Sequence, residues 1–171
     1  MYTVIALLFL LLLGVMLYRV RPSRQRMNCT IVKQVPNHCV PACLVSVAKD
    51  SGITSITQED IVNQFPTVFP NGVLEDVDKS PNLQDVVRHL GLADQIHRIP
   101  FQSLEHLAGL HQENEVLLMW DEPAKHCVRV CRVSSRSVTV MDPMQDELQT
   151  YDVAQLTALH ASLVFFKRMS D

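Results

Sequence analysis

The chain has 171 residues, of which 47% are hydrophobic and 19% are charged. This length suits one domain with a hydrophobic core, and the composition excludes a disordered tail protein. Only 5 Gly and 9 Pro occur, without a Gly-X-Y period, which excludes a collagen-like or linker-dominated chain.

Positive charge is concentrated near the amino terminus, where Arg19, Arg21, Arg24 and Arg26 lie close together. The rest of the chain has 11 basic and 18 acidic residues, a formal net charge of −7. Binding to phosphate groups needs a basic surface, and none is visible after Arg26. We therefore expect no nucleic-acid partner.

Residues 2–18 contain no charged side chain and are apolar on every helical face. A membrane-spanning helix needs about 17 to 25 such residues. A cleaved signal peptide would carry positive residues before the apolar stretch and a small-residue cleavage site after it, and this sequence has neither feature. The sequence predicts a single-pass transmembrane anchor over residues 1–20, a basic juxtamembrane spacer over residues 21–33 and a folded domain over residues 34–171.

The same four arginines predict the orientation of the anchor. Positive residues that flank a first helix tend to stay on the cytoplasmic side, so the domain is expected to face the cytoplasm. The alternative is the opposite side of the membrane, where disulfides would be available to the five cysteines. Because five is odd, at least one thiol stays free or pairs between chains.

Four helices are predicted in the first part of the domain. Apolar residues recur at helical spacing over residues 40–49, and Gly52 provides a stop. Capping residues predict three more short helices, at Thr57 with Asp60, at Asn82 and at Ser103. A loop or a mobile flap is expected over residues 66–81, which are rich in Pro, Asn and Gly.

Four strands are predicted in the second part, over residues 116–120, 126–133, 137–141 and 163–166. These runs are β-branched or aromatic, and turn residues separate them. The turn at residues 134–136 predicts a hairpin of the two middle strands. Helices first and strands later predict an α+β fold with one antiparallel sheet.

Cys39 is the candidate nucleophile. It follows a polar turn and opens the first predicted helix, where the helix dipole and the free backbone N–H groups favour a thiolate. The alternative is a small buried structural cysteine, which is the interpretation preferred for Cys43.

A nucleophilic thiol needs a base, and His126 is the best of the seven histidines because it begins a strand beside a turn. His38 is adjacent to Cys39, and neighbouring side chains diverge. The other five lie in helical or loop stretches without a thiol or carboxylate pattern, and structural roles are expected for them: His89, His97, His106, His111 and His160.

Asp142 and Gln34 complete the set. If the hairpin pairs symmetrically about Ser135, Val128 lies opposite Asp142 and His126 is its diagonal neighbour, so the carboxylate could orient the imidazole. A two-residue turn would change this parity, and a simple strand-ending turn is the alternative role for Asp142. The Gln34 side chain, with the Cys39 backbone N–H, could form an oxyanion hole.

Three segments together resemble the bacteriocin-leader peptidase family, a papain-like domain found on peptide-exporting ABC transporters and in stand-alone bacterial proteins. They are Gln34-Val-Pro-Asn-His-Cys39-Val-Pro-Ala-Cys-Leu, His126-Cys-Val-Arg-Val and Val140-Met-Asp142-Pro143. The resemblance runs from about residue 34 to residue 166. It implies a papain-like cysteine peptidase without cofactor or metal, with Cys39 as nucleophile, His126 as general base, Asp142 as orienting acid and Gln34 as oxyanion donor.

The sequence departs from the family pattern beside the nucleophile. Val40 replaces the usual Gly after it, which is expected to narrow the cleft, and His38 replaces the usual Asp before it. The ATPase and six-helix transporter portions are not in this sequence, so an export role would require a separate transporter. The expected substrate is a peptide or protein segment near the membrane.

Three other functions are alternatives to a peptidase. The His-Cys-Val-X-X-Cys pattern occurs twice, at His38 and at His126, and suggests a zinc site. Structural zinc sites usually take their cysteines from knuckle-like turns, and the spacing here does not suit such turns. A non-catalytic peptide-binding module of the same fold is a second alternative. An amidase or acyltransferase would use the same Cys39 acyl-thioester chemistry.

Overall fold

The computed structural model describes residues 29–75 and 81–167. Five α-helices lie in these ranges: α1 (Cys39–Asp50), α2 (Gln58–Gln64), α3 (Leu83–His89), α4 (Leu104–Glu113) and α5 (Val153–Ala158). Six strands accompany them: β1 (His97–Pro100), β2 (Glu115–Trp120), β3 (His126–Val133), β4 (Ser137–Met141), β5 (Gln149–Asp152) and β6 (Ser162–Phe166). A 3-10 turn covers Pro70–Gly72.

The strands form one antiparallel sheet in the order β1-β6-β2-β3-β4-β5. Alternate strand residues face two separate hydrophobic clusters, as the two-residue period of a strand requires. Helices α1, α2 and α3 contribute to the cluster on one face, while α4 and α5 contribute to the cluster on the other. The predicted α+β fold with one antiparallel sheet is confirmed.

Helix α1 is central to the first cluster. All nine residues of its middle, 40–48, are buried, and Ser46 is the polar one among them. A helix that is apolar on all sides is buried on all sides, which here places it between the sheet and the other helices. Ser51 caps its end and Gly52 follows with a φ of +86°, a conformation that suits glycine, so the predicted stop is confirmed.

Side-chain caps set the starts of the shorter helices as predicted. Thr57 and Asp60 form a reciprocal capping box at α2, Asn82 and Asp85 form another at α3, and the Ser103 hydroxyl caps α4. Each cap satisfies backbone N–H groups that have no partner inside the helix. The position of every residue in the first turn is therefore fixed by local sequence.

Three elements have no counterpart in the sequence prediction. Strands β1 and β5 lie at the two edges of the sheet, and most of their residues are exposed or half-buried. Edge strands of this kind lack the apolar alternation by which strands are found. Helix α5 has six residues and buries only Leu156, too short a pattern to show helical periodicity.

The hairpin of β3 and β4 reaches the predicted pairing by a different route. Its turn has two central residues, and Val133 lies opposite Val138. Compared with pairing that is symmetric about Ser135, the register next to the turn is shifted by one residue. An irregularity at Cys131 then restores the register, so that Val130 pairs with Val140 and Arg129 with Met141. Such a bulge places one extra residue on one strand. Continuation of this register puts Val128 opposite Asp142.

Residues 29–35, called the strap below, pack onto the domain and extend the folded unit to residues before Gln34. Cys29 forms a disulfide with Cys131, with Cα atoms 5.6 Å apart. The Thr30 backbone N–H and hydroxyl donate to the Asp50 carboxylate, and Ser46 donates to the Thr30 carbonyl at 2.6 Å. Val32 is buried in the first cluster. The predicted juxtamembrane spacer therefore ends in structured chain.

Across residues 29–75 and 81–167, no helix combines the length and hydropathy needed to cross a membrane. The predicted anchor, residues 1–20, and the first part of the spacer, residues 21–28, lie outside the described residues. Within the predicted loop over residues 66–81, the described part contains turns and the 3-10 segment, and residues 76–80 lie outside it.

Candidate active site

A cleft of about 710 Å³ opens at the amino end of α1. Cleft volumes of roughly 300 to 1,000 Å³ are typical of ligand sites. Gln34, Cys39 and His126 line this cleft, and Asp142 lies beside His126 with 6% of its surface exposed. The structure thus brings together all four residues that the sequence selected from distant parts of the chain.

Cys39 begins α1 after a tight turn. Asn37 has a φ of +71°, in the left-handed region that Asn tolerates better than most residues, and the His38 N–H donates to the Val35 carbonyl. The first N–H groups of α1 have no intrahelical acceptor and point toward the cleft end of the helix. Cys39 is half-buried, and the other two free thiols among the described residues, Cys43 and Cys127, are buried.

Burial raises the pKa of the Cys127 thiol, and its contact with Cys43 raises it further. The Cys43 Sγ donates to the Cys127 carbonyl at 3.6 Å. Both thiols are fully enclosed in the core between α1 and β3. They have the character of inert structural cysteines, as expected for Cys43.

His126 bridges the nucleophile and the carboxylate. Its Nε2–H donates to Asp142 Oδ1 at 2.8 Å, and the ring also hydrogen-bonds Cys39. Because Nε2 serves the carboxylate, Nδ1 is left to face the thiol. Burial lowers the pKa of His126, but the hydrogen bonds and charges of Asp142 and Cys39 outweigh it and raise the value from 6.5 to about 9.

The raised pKa means that the imidazole is cationic at neutral pH. Because the pKa of His126 is higher in the folded state, protonation of this residue stabilises the fold. The stabilisation is complete below pH 6.5 and is lost as the pH rises through about 9. A cationic imidazole therefore lies beside the Cys39 side chain at the amino end of α1.

Asp142 is held in place by more than His126. Its Oδ1 accepts from the Met144 backbone N–H at 2.9 Å, and the Tyr151 phenol also hydrogen-bonds the carboxylate. Burial raises the pKa of Asp142, but the hydrogen bonds from His126 and Met144 and the His126 charge lower it below 3.8 overall. The carboxylate therefore stays ionised and fixes the imidazole orientation.

Two aromatic residues that the sequence analysis did not select complete this corner. Trp120 pairs with His126 across β2 and β3, and its ring meets the imidazole edge-on at a centroid distance of 5.1 Å. The ring centroids of Tyr151 and Trp120 are 6.2 Å apart. Burial and the charge of Asp142 raise the pKa of the Tyr151 phenol. Trp120 packs against the His126 ring and Tyr151 hydrogen-bonds the Asp142 carboxylate, and strand pairing brings both residues to this corner.

Gln34 reaches the cleft from the strap. Its backbone N–H donates to the Pro143 carbonyl at 2.9 Å, which ties it to the segment after Asp142. Its side-chain Oε1 is buried and has no hydrogen-bond partner among the described residues. Gln34 and Cys39 line the same cleft, which is where an oxyanion donor would be placed beside the nucleophile.

The two departures from the family pattern have structural positions. Val40 lines the cleft and is 2% exposed, so its side chain occupies space that glycine would leave empty. The His38 ring packs against Gly72, where any Cβ would collide with the imidazole, and Gly72 has a φ of +85°. This close approach holds Val73 and Leu74 as one wall of the cleft.

The residues of the zinc hypothesis lie on regular elements. Cys39 and Cys43 are on α1, Cys127 and Cys131 are on β3, and Cys131 is committed to the disulfide with Cys29. In the part of the chain that the structure describes, no group of three or more His, Cys, Asp or Glu side chains is arranged around a metal position.

The sequence matches no protein-family model and no curated protein. Solved structures, by contrast, include several peptidase domains of similar fold. A C39-like peptidase from Bacillus anthracis aligns over 84% of this chain and 97% of its own, with a TM-score of 0.57 and 14% identity. The fold is that of the C39-like peptidases.

Two further structures of similar fold come from transporter proteins. One is a double-glycine-motif protease from an AMS/PCAT transporter, in complex with its leader peptide, with a TM-score of 0.61, 17% identity and coverage of 85% and 96%. The other is the peptidase domain of Streptococcus ComA, a bifunctional ABC transporter, with a TM-score of 0.58, 13% identity and coverage of 83% and 100%. At these identities the likeness establishes the fold, and function depends on the site.

Proposed function

We propose that this chain is a cysteine peptidase that cleaves peptide segments presented near a membrane, leader peptides included. The observation that carries the proposal is the assembly of Cys39, His126 and Asp142 at one cleft, with a 2.8 Å hydrogen bond between the second and third residues. A thiol, an imidazole and a carboxylate in this order make up a catalytic triad.

The proposed reaction gives each of the four residues a defined role. The Cys39 sulfur attacks the scissile carbonyl carbon, and the Gln34 amide and Cys39 N–H stabilise the oxyanion. The His126 imidazolium gives a proton to the leaving amine as the C–N bond breaks. Water then attacks the thioester carbonyl and gives a proton to His126. The C–S bond breaks, which releases the carboxylic acid and returns the Cys39 sulfur, and Asp142 keeps the ring oriented throughout.

Incubation of the full-length chain, in detergent, with a varied mixture of synthetic peptides tests this proposal. We expect new amino termini in the products and, after rapid acid quenching, a peptide acyl group on Cys39 by mass spectrometry. Acylation of Cys39 with transfer only to an added amine would indicate an acyltransferase. Peptide binding without acylation would contradict the peptidase proposal and favour a binding module.

Membrane attachment through residues 1–20 and a separate transporter partner belong to the same proposal. The apolar amino-terminal segment supports the first, and the transporter context of two structural neighbours supports the second. Tethering would confine cleavage to substrates at the bilayer.

For the side of the membrane, two observations point in opposite directions. The arginine cluster favours a cytoplasmic domain, whereas a Cys29–Cys131 disulfide is typical of an oxidising compartment. We favour the oxidising side, because stable disulfides are rare in the cytosol while short single-helix proteins can depart from the charge rule.

Thiol blocking in intact cells tests this orientation. Cells that produce the full chain are treated with a membrane-permeant maleimide, and the protein is digested without reduction. We expect a peptide pair linked through Cys29 and Cys131. Recovery of both cysteines as maleimide adducts would place the domain in a reducing compartment.

A further inference from the structure

Gln58 is a buried polar residue that the catalytic scheme does not use. It is the first residue of α2 and only 8% exposed. Buried amides are generally hydrogen-bonded, and both ends of this one are. Its Nε2 donates to the Lys33 carbonyl at 2.7 Å, and its Oε1 accepts from the Val35 N–H at 2.9 Å.

These two partners are the residues on either side of Gln34. The Gln58 amide therefore donates one hydrogen bond to the strap and accepts another from it, as the backbone of a neighbouring strand would. Gln34 lies between these two contacts. On the other side, the Gln34 N–H donates to the Pro143 carbonyl at 2.9 Å. The backbone of the oxyanion donor is thus held from two directions.

The side chain of Gln34 depends on this backbone support. Its buried Oε1 has no hydrogen-bond partner among the described residues. No hydrogen bond to this oxygen therefore adds to the backbone contacts that hold Gln34. Preorganised donors stabilise an oxyanion only when they are held at the correct position before the reaction. A displacement of about 1 Å can cost roughly 100-fold in rate.

Gln58 is itself well placed for this support. The capping box of Thr57 and Asp60 fixes the start of α2, with Thr57 N–H to Asp60 at 2.9 Å and Asp60 N–H to Thr57 at 3.1 Å. Ile61, in the next turn, is 1% exposed and anchors the helix in the core. The amide therefore projects from a rigid base.

We propose that Gln58 is a positioning residue that holds Gln34 in place as the oxyanion donor of the Cys39 reaction. The inference rests on the proposed function, because it assigns Gln58 a role in that same chemistry. It predicts that Gln58 affects reactions that pass through a tetrahedral oxyanion and spares reactions of the same thiol that do not.

Two probes of Cys39 separate these cases in the full-length chain in detergent. In 4-nitrophenyl acetate, the sulfur attacks the carbonyl carbon, an S–C bond forms, and the C–O bond breaks with release of 4-nitrophenolate. This acyl transfer passes through an oxyanion. Iodoacetamide forms an S–C bond by direct displacement of iodide, without an oxyanion.

The test is a double-mutant cycle of Gln58→Met and Gln34→Ala, which isolates the coupling of the two residues. Gln34→Ala is expected to slow acylation by about 100-fold. Gln58→Met is expected to slow it by about 10- to 100-fold in the wild-type background and by less than about twofold in the Gln34→Ala background. Alkylation by iodoacetamide should change by less than about twofold in each variant, because it needs no oxyanion donor.

Two further variants control for damage to the fold. Gln64→Met makes the same substitution at the exposed end of α2 and should leave both rates unchanged. Gln58→Glu keeps the acceptor for the Val35 N–H and loses the donor to Lys33, so it should show an intermediate loss of acylation. Thermal unfolding of each variant identifies any that fails to fold.

Four results would overturn the proposal. Equal losses from Gln58→Met in both Gln34 backgrounds would show that Gln58 does not act through Gln34. Equal losses of acylation and alkylation would show that it supports the fold of α1 instead, and unchanged acylation would show no role. A wild-type Cys39 that is alkylated but never acylated would remove the proposed function itself, and the role of Gln58 with it.

Discussion

Replacement of Cys39 with Ala is expected to abolish peptide hydrolysis and acetyl transfer, with a loss of at least about 10⁴-fold, since removal of a catalytic nucleophile has effects of this size. Alanine is smaller than the half-buried cysteine and keeps the helix propensity of α1. The free energy of unfolding should therefore change by less than about 1 kcal/mol. Rates and thermal unfolding are measured on the same preparations.

Cys43→Ala is the matched control for this loss. Cys43 lies one helical turn away, is buried, and contacts Cys127 rather than His126. Activity should persist in that variant, although the cavity left in the core is expected to lower stability by about 1 kcal/mol. Hydrolysis that survives in Cys39→Ala, or that disappears equally in Cys43→Ala, would contradict the assignment of the nucleophile.

Replacement of Arg129 with Met is expected to have the largest effect on stability. Arg129 is 2% exposed, and its guanidinium contacts Glu115 Oε2 at 3.1 Å and Asp50 Oδ2 at 2.6 Å, with Ser46 Oγ at 2.8 Å. The network connects β3 to β2 and to the end of α1. Without the cation, two carboxylates in and near the core lose the ion pair with Arg129.

Removal of one partner from a buried ion pair costs about 3 to 5 kcal/mol, a large share of a total stability of roughly 5 to 15 kcal/mol. The midpoint of thermal unfolding should fall by roughly 10 °C. Arg132→Met, at an exposed position of the same strand, should change stability by less than about 0.5 kcal/mol. A loss below about 1 kcal/mol in Arg129→Met would show that the network does not support the fold.

Local signals account for the elements that the sequence predicted. The caps at Thr57, Asn82 and Ser103 are complete within three or four residues, and the apolar period of α1 lies within one helix. Strand β2 is a continuous apolar run after Glu115, and β3 and β4 carry repeated valines. Strands β1 and β5 were missed because their pairing with β6 and β4, rather than their own composition, makes them strands.

The candidate site was predicted from motifs, yet its geometry depends on long-range contacts. The two-residue turn of the β3–β4 hairpin would by itself place Asp142 and His126 on opposite faces of the sheet. The irregularity at Cys131 shifts the register by one residue and returns them to the same face. No residue pattern around Cys131 signals that bulge. The predicted triad residues come together, with His126 and Asp142 joined by a hydrogen bond, while their catalytic roles stay predictions.

The roles of Arg129 and Gln58 could not be predicted from the sequence for a similar reason. In the sequence, Arg129 is one polar residue in a strand, and its partner Asp50 is 79 positions away. Gln58 reads as the first residue of a capped helix, and its link to Gln34 appears only when the strap packs beside α2. Contacts at such separations are set by tertiary packing.

The most direct test of the central claim is the pH dependence of Cys39 alkylation by limiting iodoacetamide, followed residue by residue with mass spectrometry of the full-length chain. An ordinary thiol has a pKa near 8.5 and reacts slowly in mild acid. His126, with its pKa raised to about 9, is cationic there, and a thiol beside such a cation is expected to react faster. We predict that Cys39 alone is alkylated at about pH 6, that His126→Ala removes this reactivity, and that Asp142→Asn reduces it. A Cys39 rate that is the same in the wild type and in His126→Ala, and that rises only as an ordinary thiol ionises, would contradict the ion-pair site.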